Sequence, residues 1–390
     1  MGEAYIVEAV RTAGGRRKGA LADWHPADLG GEVLTALVDR TGVDPAAIED
    51  VIMGCVSQIG QQSFQLARNA IFASRLPDSV PGTTVDRQCG SSQQAVHFAA
   101  QAVMSGTQDL VIAAGIESMT RVPMLSPTNL ALEAGLGSPW SQRVLDRFGV
   151  TEFSQFNGAE MITEKYGFTR EQLDAYALLS HQRGAKATQE GAFQKEIVAL
   201  EIVDAEGRTG LHNKDEGIRY DASLEAMAQV KTIRPGGYIT AANASQMTDG
   251  AAAILIANEK AIKAHGLKPL ARIHQMHVHA GDPVIMLEEP IPGTARALAK
   301  AGMTIADIDL YEVNEAFAPV PMAWLKAIEA DPSKLNVHGG AIALGHPLGA
   351  TGTKIMTTLV HALHRHGKRY GLQAICEGGG TANVTIIERI

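Results

Sequence analysis

Two stretches of this chain share one pattern: GVDPAAIEDVIMG at residues 42–54 and GMTIADIDLYEVN at residues 302–314. Each predicts the end of a helix at glycine, then a short helix opened by Asp or Thr, then an apolar strand. The two stretches align without gaps, 260 positions apart. Farther along, Gly106 and Gly367 each close a predicted helix before another apolar strand, 261 positions apart. The nearly constant offset predicts a duplicated α/β half.

The segment between the two copies has a different character. It begins with recurring Pro, Gly and Ser and continues with amphipathic helices, one of them predicted over Thr169–Ala187. The apolar strand Ala251–Ala257 then returns to the first copy. We therefore expect three units: residues 1–118 together with 246–269 as the N-terminal half, residues 119–245 as an inserted, lid-like loop domain, and residues 270–390 as the C-terminal half.

Composition restricts the function classes. The net charge of −8 over 390 residues argues against a nucleic-acid-binding surface, although it leaves room for a local anion site. No apolar run approaches the ~20 residues of a membrane span, so membrane insertion is not expected. The N-terminus runs directly into a strand-like pattern without signal-peptide organisation, and three cysteines make no disulfide framework. We expect a cytoplasmic protein.

Two of the three cysteines and one histidine lie in glycine-flanked turns. Cys89 begins CGSS and precedes a largely apolar helix predicted over residues 90–105, where it is either a buried structural thiol or a nucleophile. The helix N-terminus would favour its thiolate and stabilise an oxyanion. Cys376 ends an apolar strand and begins CEGGG, and His346 lies in GHPLG. Taken singly, these could be a strand-end thiol and an ordinary loop histidine.

The repeat predicts that these groups meet. It places Cys89 nearly opposite the His346 turn, Cys376 opposite Gly115, and Asn314 opposite Gly54. Because corresponding strand ends of two related halves come together at one seam, we expect a common site there. Asn314 and Glu315 would be buried polar groups at a strand end that need partners, and a site that positions a water would supply them.

Other signals do not indicate a metal. His277 and His279 would share one face of a strand and His274 would point to the other. No nearby carboxylate or cysteine pattern supports zinc. Cys55 is interpreted as a core residue. We therefore predict no metal site.

Four segments in order resemble the thiolase family: DRQCGSSQQA around Cys89, NEAFA from Asn314, GGAIALGHPLGATG around His346, and CEGGG from Cys376. The resemblance spans essentially the whole chain. It implies an α/β fold with a duplicated, five-layered αβαβα core and an inserted loop domain, in agreement with the internal repeat.

The resemblance also implies roles for the matching residues. Cys89 would accept the acyl group and His346 would activate it. Cys376 would exchange a proton with the α-carbon of acetyl-CoA. Asn314 would hold a water that forms an oxyanion hole with His346, and the N–H groups of Cys89 and Gly378 would form a second one. Carbon–carbon cleavage builds negative charge at two different oxygens, so two sets of donors are needed.

The implied reaction is thiolysis of a 3-ketoacyl-CoA, with coenzyme A as a substrate and no permanently bound cofactor. Ser245 and Arg219 match positions at which the family contacts CoA, although they could equally be a turn serine and a solvated arginine. The family further implies acyl-CoA and CoA as partners, and a homodimer or homotetramer of the chain itself.

The acyl group is indicated by one departure from the family pattern. Short-chain biosynthetic thiolases carry a His-Met pair where this chain has SQFNGAE at residues 154–160. This favours a degradative enzyme acting on a fatty or steroid-derived acyl-CoA, and both SQFNGAE and DRQCGSSQQA resemble actinobacterial thiolases of steroid breakdown. The alternatives are a biosynthetic acetoacetyl-CoA thiolase and a non-catalytic acyl-CoA-binding protein. A decarboxylating condensing enzyme of related fold would usually lack Cys376.

Overall fold

The structure is a computed structural model that describes residues 2–203 and 207–390. The β-strands are β1 (Tyr5–Thr12), β2 (Gly15–Arg16), β3 (Asp50–Gly54), β4 (Gly82–Val85), β5 (Leu110–Ser118), β6 (Ile197–Val198), β7 (Leu200–Val203), β8 (Thr209–His212), β9 (Thr248–Ala257), β10 (Ala271–Ala280), β11 (Leu310–Val313), β12 (Tyr370–Glu377) and β13 (Thr381–Arg389). The α-helices are α1 (Pro26–Thr41), α2 (Leu66–Phe72), α3 (Ser91–Ser105), α4 (Ser126–Glu133), α5 (Gln142–Phe148), α6 (Gln155–Tyr166), α7 (Arg170–Gln189), α8 (Leu224–Ala228), α9 (Glu259–His265), α10 (Pro290–Ala301), α11 (Pro319–Ile328), α12 (Ala341–Leu344) and α13 (Thr351–Arg365).

The order of the strands confirms the duplication. The first copy runs β3–β5–β9–β1 across its sheet and the second runs β11–β12–β13–β10, while β1 and β10 pair antiparallel where the copies meet. In each copy the first pair is parallel and the next two are antiparallel. A register shift recurs at the same place, between Ile6 and Glu8 in β1 and between Ile273 and Gln275 in β10.

The core has the five layers expected. The strands of both copies belong to one continuous sheet. Helices α1 and α2 cover the outer face of its first half, α3 and α13 lie between the two halves, and α10 and α11 cover the outer face of the second half. Alternate residues of β5 show that both sheet faces are buried: Leu110 and Ile112 pack outward, whereas Val111 and Ala113 pack against the central helices.

Glycines allow the central layer to approach the strand ends. Gly54 and Gly115 are paired neighbours in β3 and β5. A Cβ atom on Gly115 would lie only 2.5 Å from the carbonyl oxygen of Gly349, and one on Gly54 would lie 2.6 Å from the same oxygen. A side chain at either strand position would therefore push the His346 loop away from the first half.

Helix α3 matches its prediction: it runs from Ser91 to Ser105, and its C-cap Gly106 has a left-handed φ of 75°. The helix is not buried all round, because Phe98 is 41% exposed.

The segment between the halves folds over the seam. Its helix α7, predicted over Thr169–Ala187, begins with a capping box between Thr169 and Gln172. Buried residues of α6 and α7 pack in one cluster with Phe317 and Cys376. Strand β9 returns to the first half as predicted, beginning three residues earlier, at Thr248. Over the described residues, no helix is both long and apolar enough to cross a membrane.

Candidate active site

The turn that carries Cys89 is fixed by its own hydrogen bonds. The Arg87 N–H donates to Ser91 Oγ at 2.9 Å, and that hydroxyl donates to the Gln88 carbonyl at 2.6 Å. Gln88 adopts a left-handed φ of 49°, which is uncommon outside glycine. The chain therefore reverses sharply and places Cys89 immediately ahead of α3.

Burial decides the protonation of Cys89. Cys89 is 7% exposed, and burial, followed by Glu377 when it is ionised, raises the pKa of the thiol to about 12. This differs from the thiolate expected at a helix N-terminus, because desolvation outweighs the favourable amides. Cys89 is thus a thiol in the resting protein and needs a base to become a nucleophile.

The hydrogen bonds of His346 leave its Nε2 free to act as a base. Its Nδ1 lies 2.5 Å from Thr351 Oγ1, and that hydroxyl donates its proton to the Pro347 carbonyl at 2.9 Å. The hydroxyl must then accept from the imidazole, so Nδ1 carries the hydrogen and Nε2 is left with a lone pair. Burial, with a smaller effect of Lys354, lowers the pKa of His346 to about 3, which keeps the resting ring neutral.

The backbone around His346 is held on both sides. Its N–H donates to the Gln246 carbonyl at 3.1 Å and to Thr248 Oγ1 at 3.2 Å. The buried Lys354 ammonium donates to the carbonyls of Gly345, at 2.9 Å, and Leu344. These contacts fix the direction of the imidazole before any substrate binds.

Asn314 faces the imidazole. Its Nδ2 lies 3.4 Å from His346 Nε2, and its buried Oδ1 has no hydrogen-bond partner within residues 2–203 and 207–390. Glu315 differs: Tyr176 and Ser180 of α7 donate to its carboxylate at 3.0 and 2.7 Å. The expectation that both residues need a ligand was therefore wrong for Glu315, which connects α7 to the strand end instead.

Cys376 lies on the other side of the seam. Burial raises the pKa of its thiol, and the next largest effect comes from Cys89, so the two sulfurs are electrostatically close. The turn that follows faces the Cys89 turn: a Cβ atom on Gly378 would lie 3.0 Å from Gln88 Oε1. The structure thus brings both cysteines, His346, Asn314 and Gly378 to one end of the seam between the halves.

A cavity of about 790 Å³ leads to His346 from the surface. Both residues predicted to contact CoA, Ser245 and Arg219, line it. Its apolar lining includes Met119, Met124, Phe156, Phe317 and Leu348. Two further arginines, Arg16 and Arg17, also line it. The cavity therefore combines an apolar interior near the imidazole with several cationic side chains.

Comparison with known proteins decides the family. Residues 4–260 match the thiolase N-terminal domain, and residues 267–389 match the thiolase C-terminal domain. The chain belongs to the thiolase family. Thiolases transfer acyl groups, and this thiolase is an acyltransferase.

Named relatives cover the full length of this thiolase. Steroid 3-ketoacyl-CoA thiolase FadA6 of Mycobacterium tuberculosis is 54% identical over 100% of this chain and 95% of its own length. A 3-ketoacyl-CoA thiolase of Pseudoalteromonas translucida is 40% identical over 100% of both chains. The acetyl-CoA acetyltransferase of Bacillus anthracis superposes with a TM-score of 0.90 at 35% identity, covering 100% of this chain and 99% of that one.

Sequence reasoning about this thiolase missed several site residues. Thr351 fixes the tautomer of His346 but looks like an ordinary first residue of a helix. Arg16 and Arg17 line the cavity, and their only signal is a short basic run, Arg16-Arg17-Lys18, near the N-terminus.

The histidines of β10 lie apart from this cavity. His277 and His279 stack with ring centroids 6.1 Å apart, which confirms that they share one face. Among the residues described, no group of three or more His, Cys, Asp and Glu side chains could hold a metal ion.

Proposed function

We propose that this thiolase carries out degradative, CoA-dependent cleavage of a 3-ketoacyl-CoA, giving acetyl-CoA and a shortened acyl-CoA through an acyl group on Cys89. The observation that carries the proposal is a neutral, Nδ1-protonated His346 in the lining of a cavity whose apolar residues Leu348 and Phe317 pack in the same clusters as the buried thiols of Cys89 and Cys376. A single thiol would suffice for acyl transfer alone. The second thiol supplies the proton that carbon–carbon cleavage requires.

In the first half-reaction His346 Nε2 takes the proton of Cys89, and the sulfur attacks the 3-keto carbon. The bond to the α-carbon then breaks, and its electron pair forms the enolate of acetyl-CoA. The new Nε2–H of His346 and a water held by Asn314 stabilise the enolate oxygen. Cys376 gives its proton to the α-carbon, and acetyl-CoA leaves.

In the second half-reaction the Cys376 thiolate takes the proton of free CoA. The CoA sulfur attacks the acyl group on Cys89, and the amides of Cys89 and Gly378 stabilise the oxyanion. Collapse releases the shortened acyl-CoA, and His346 returns its proton to Cys89. The second half-reaction restores the protons of Cys376 and Cys89. Because acetyl-CoA leaves before free CoA attacks the acyl group on Cys89, ping-pong kinetics are expected.

We assign the cationic side chains of the cavity to CoA. Arg219 and Ser245, together with Arg16 and Arg17, line the same cavity as His346. The guanidinium groups suit phosphates, which favours the nucleotide end of CoA near them. Apart from CoA as a substrate, the mechanism needs no cofactor.

We assign the apolar part of the cavity to a bulky acyl group. Gln155 and Phe156, from the stretch that replaces the His-Met pair, line it together with flexible methionines. The name of the 54% identical mycobacterial relative includes a steroid substrate, which supports a steroid-derived acyl-CoA. Fatty acyl-CoA is the alternative, and acetoacetyl-CoA is disfavoured by the missing His-Met pair.

We also propose a homodimer or homotetramer. Among the described strands, β4 has a neighbour on one side only, and it forms an edge of the sheet. Helices α2 and α3 contact β4, and large apolar side chains near them are exposed, Phe64 at 91% and Phe98 at 41%. A second copy could cover this surface.

The unit boundaries at residues 118, 245 and 269 and the cytoplasmic location stay predictions.

The test is the acyl adduct. After incubation with a saturated acyl-CoA, mass spectrometry should find the acyl group on Cys89. Cys376→Ala should keep that adduct and lose carbon–carbon cleavage, because acylation from a simple acyl-CoA needs no proton at an α-carbon. Wild-type turnover by Cys89→Ser, or equal loss of both activities in Cys376→Ala, would refute the assigned roles.

The substrate is tested separately. Thiolysis rates should be compared across short, long, branched and ring-derived 3-ketoacyl-CoAs. We expect the largest kcat/KM for a ring-bearing acyl group and the smallest for acetoacetyl-CoA. A preference for acetoacetyl-CoA would support the biosynthetic alternative instead.

A further inference from the structure

A buried carboxyl group, Glu377, adjoins the site without a role in the mechanism above. It is the last residue of β12, directly after Cys376, and it is fully buried. Neither of its oxygens makes a hydrogen bond of normal geometry with any residue that the structure describes. Buried carboxylates are normally paired, so this group needs an explanation.

Its carboxyl group packs against the residue that follows Cys89. A Cβ atom on Gly90 would overlap the Glu377 carboxyl, so Gly90 is required for this approach. Gly90 is also the N-cap of α3. Gly378 also lies close to Gln88, since a Cβ atom on it would lie 3.0 Å from Gln88 Oε1. The turn after Cys376 therefore packs directly against the turn that carries Cys89.

We propose that Glu377 is a positioning residue that must be neutral for Cys89 to react, and that its ionisation suppresses acylation. A carboxylate at this place would oppose both the thiolate of Cys89 and the oxyanion held by the Cys89 and Gly378 amides. A neutral carboxylic acid would oppose neither. The inference rests on the proposed role of Cys89 as the nucleophile.

The surroundings of Glu377 place the ionisation of its carboxyl group near pH 8. Burial raises the pKa of Glu377 to about 8, and the Thr381 hydroxyl, the Arg87 cation and the Asn383 amide offset only part of that effect. Among the charged groups, Glu377 raises the pKa of the Cys89 thiol most, and Glu117 and Asp86 raise it less. Below pH 8 Glu377 is therefore mostly neutral, and above it a negative charge faces the nucleophile.

The test is the pH dependence of Cys89 reactivity in the full-length protein. Acylation by a saturated acyl-CoA and alkylation by iodoacetamide, both located by mass spectrometry, are followed from pH 6.5 to 9.5. In the wild type the rise of alkylation with pH should flatten near pH 8, and acylation, in which neutral His346 takes the proton, should fall above pH 8. In Glu377→Gln alkylation should continue to rise and acylation should stay level, giving rates about tenfold above wild type at pH 9.5 and similar rates at pH 6.5, as expected if ionisation raises the Cys89 pKa by one unit.

Glu312→Gln is the matched control. Glu312 is another buried carboxyl with a raised pKa, but the charges facing it are Glu315, Glu196, Arg183 and Arg11 rather than Cys89. It should retain the wild-type inflection. A Glu377→Gln profile that superimposes on the wild type would overturn the proposal, as would the same change in Glu312→Gln.

Two measures separate this proposal from the proposed function. Alkylation reports on Cys89 even if the protein forms no acyl adduct, so absence of the adduct would count against the thiolase mechanism alone. If Glu377→Gln fails to fold, Glu377→Asp retracts the carboxyl from Gly90 while keeping its charge. It should move the inflection by at least half a pH unit, and an unmoved inflection would overturn the proposal.

Discussion

Replacing Thr351 by valine should impair catalysis without emptying the substrate site. Valine keeps the branched shape at the first position of α13 but removes the hydroxyl that lies 2.5 Å from His346 Nδ1. The imidazole is buried, so no solvent replaces this partner. Either Nδ1–H stays unpaired, or the proton moves to Nε2, where it meets the Asn314 amide donor at 3.4 Å.

The magnitude follows from the lost partner. A buried donor left without an acceptor costs about 1–3 kcal/mol. Since both outcomes disfavour the tautomer with a free Nε2, kcat should fall by about 5- to 150-fold. The cavity lining is untouched, so KM for the 3-ketoacyl-CoA should change by less than about twofold.

The assay is steady-state thiolysis together with the rate of acyl transfer to the enzyme. Thr357→Val is the matched control, because Thr357 is buried on the same helix and donates to the Thr353 carbonyl at 2.8 Å, away from His346. Thermal unfolding of both variants measures the structural cost. If Thr351→Val and the control have the same kcat, the tautomer assignment is wrong.

Three further predictions concern stability, pH and CoA binding. Gly115→Ala should lower the free energy of unfolding by about 1–3 kcal/mol, because its Cβ would lie 2.5 Å from the Gly349 carbonyl oxygen; Gly210→Ala, whose Cβ would meet nothing closer than 4.0 Å, should leave the urea midpoint unchanged. Burial lowers the pKa of His97 to about 3, below its unfolded value of ~6.5, so its contribution to stability is present above pH ~6.5 and is lost as the pH falls toward 3. His97→Gln should therefore lose less stability than wild type between pH 7 and pH 5 in urea titrations, and an identical loss would contradict this. Arg219→Ala should raise KM for CoA by about two- to tenfold at constant kcat, with a smaller effect at high salt; an unchanged KM would remove Arg219 from the CoA site.

Local patterns were sufficient for the elements and for the duplication. Gly42 and Gly302 end their helices in the left-handed conformation, and the short helices and strands that follow match the predicted pattern. Such features depend on residues adjacent in sequence, so the sequence contains them directly. The turns of Cys89, His346 and Cys376 were visible for the same reason.

What could not be read from the sequence depends on distance through space. The thiolate expected for Cys89 was wrong because burial between two halves outweighs the helix N-terminus, and no local pattern measures that burial. Two of the partners of Glu315, Tyr176 and Ser180, lie in the inserted segment, more than a hundred residues away along the chain.

The repeated α/β halves, the glycine-bounded turns and the chemical identity of the reacting groups are all specified by residues close together along the chain. The protonation of the reacting groups follows from packing instead. The Thr351 contact gives His346 its free Nε2, and packing against Gly90 places the Glu377 carboxyl beside Cys89. Protonation depends on desolvation and on charges brought close by folding, and both arise only when the two halves and the inserted segment pack together.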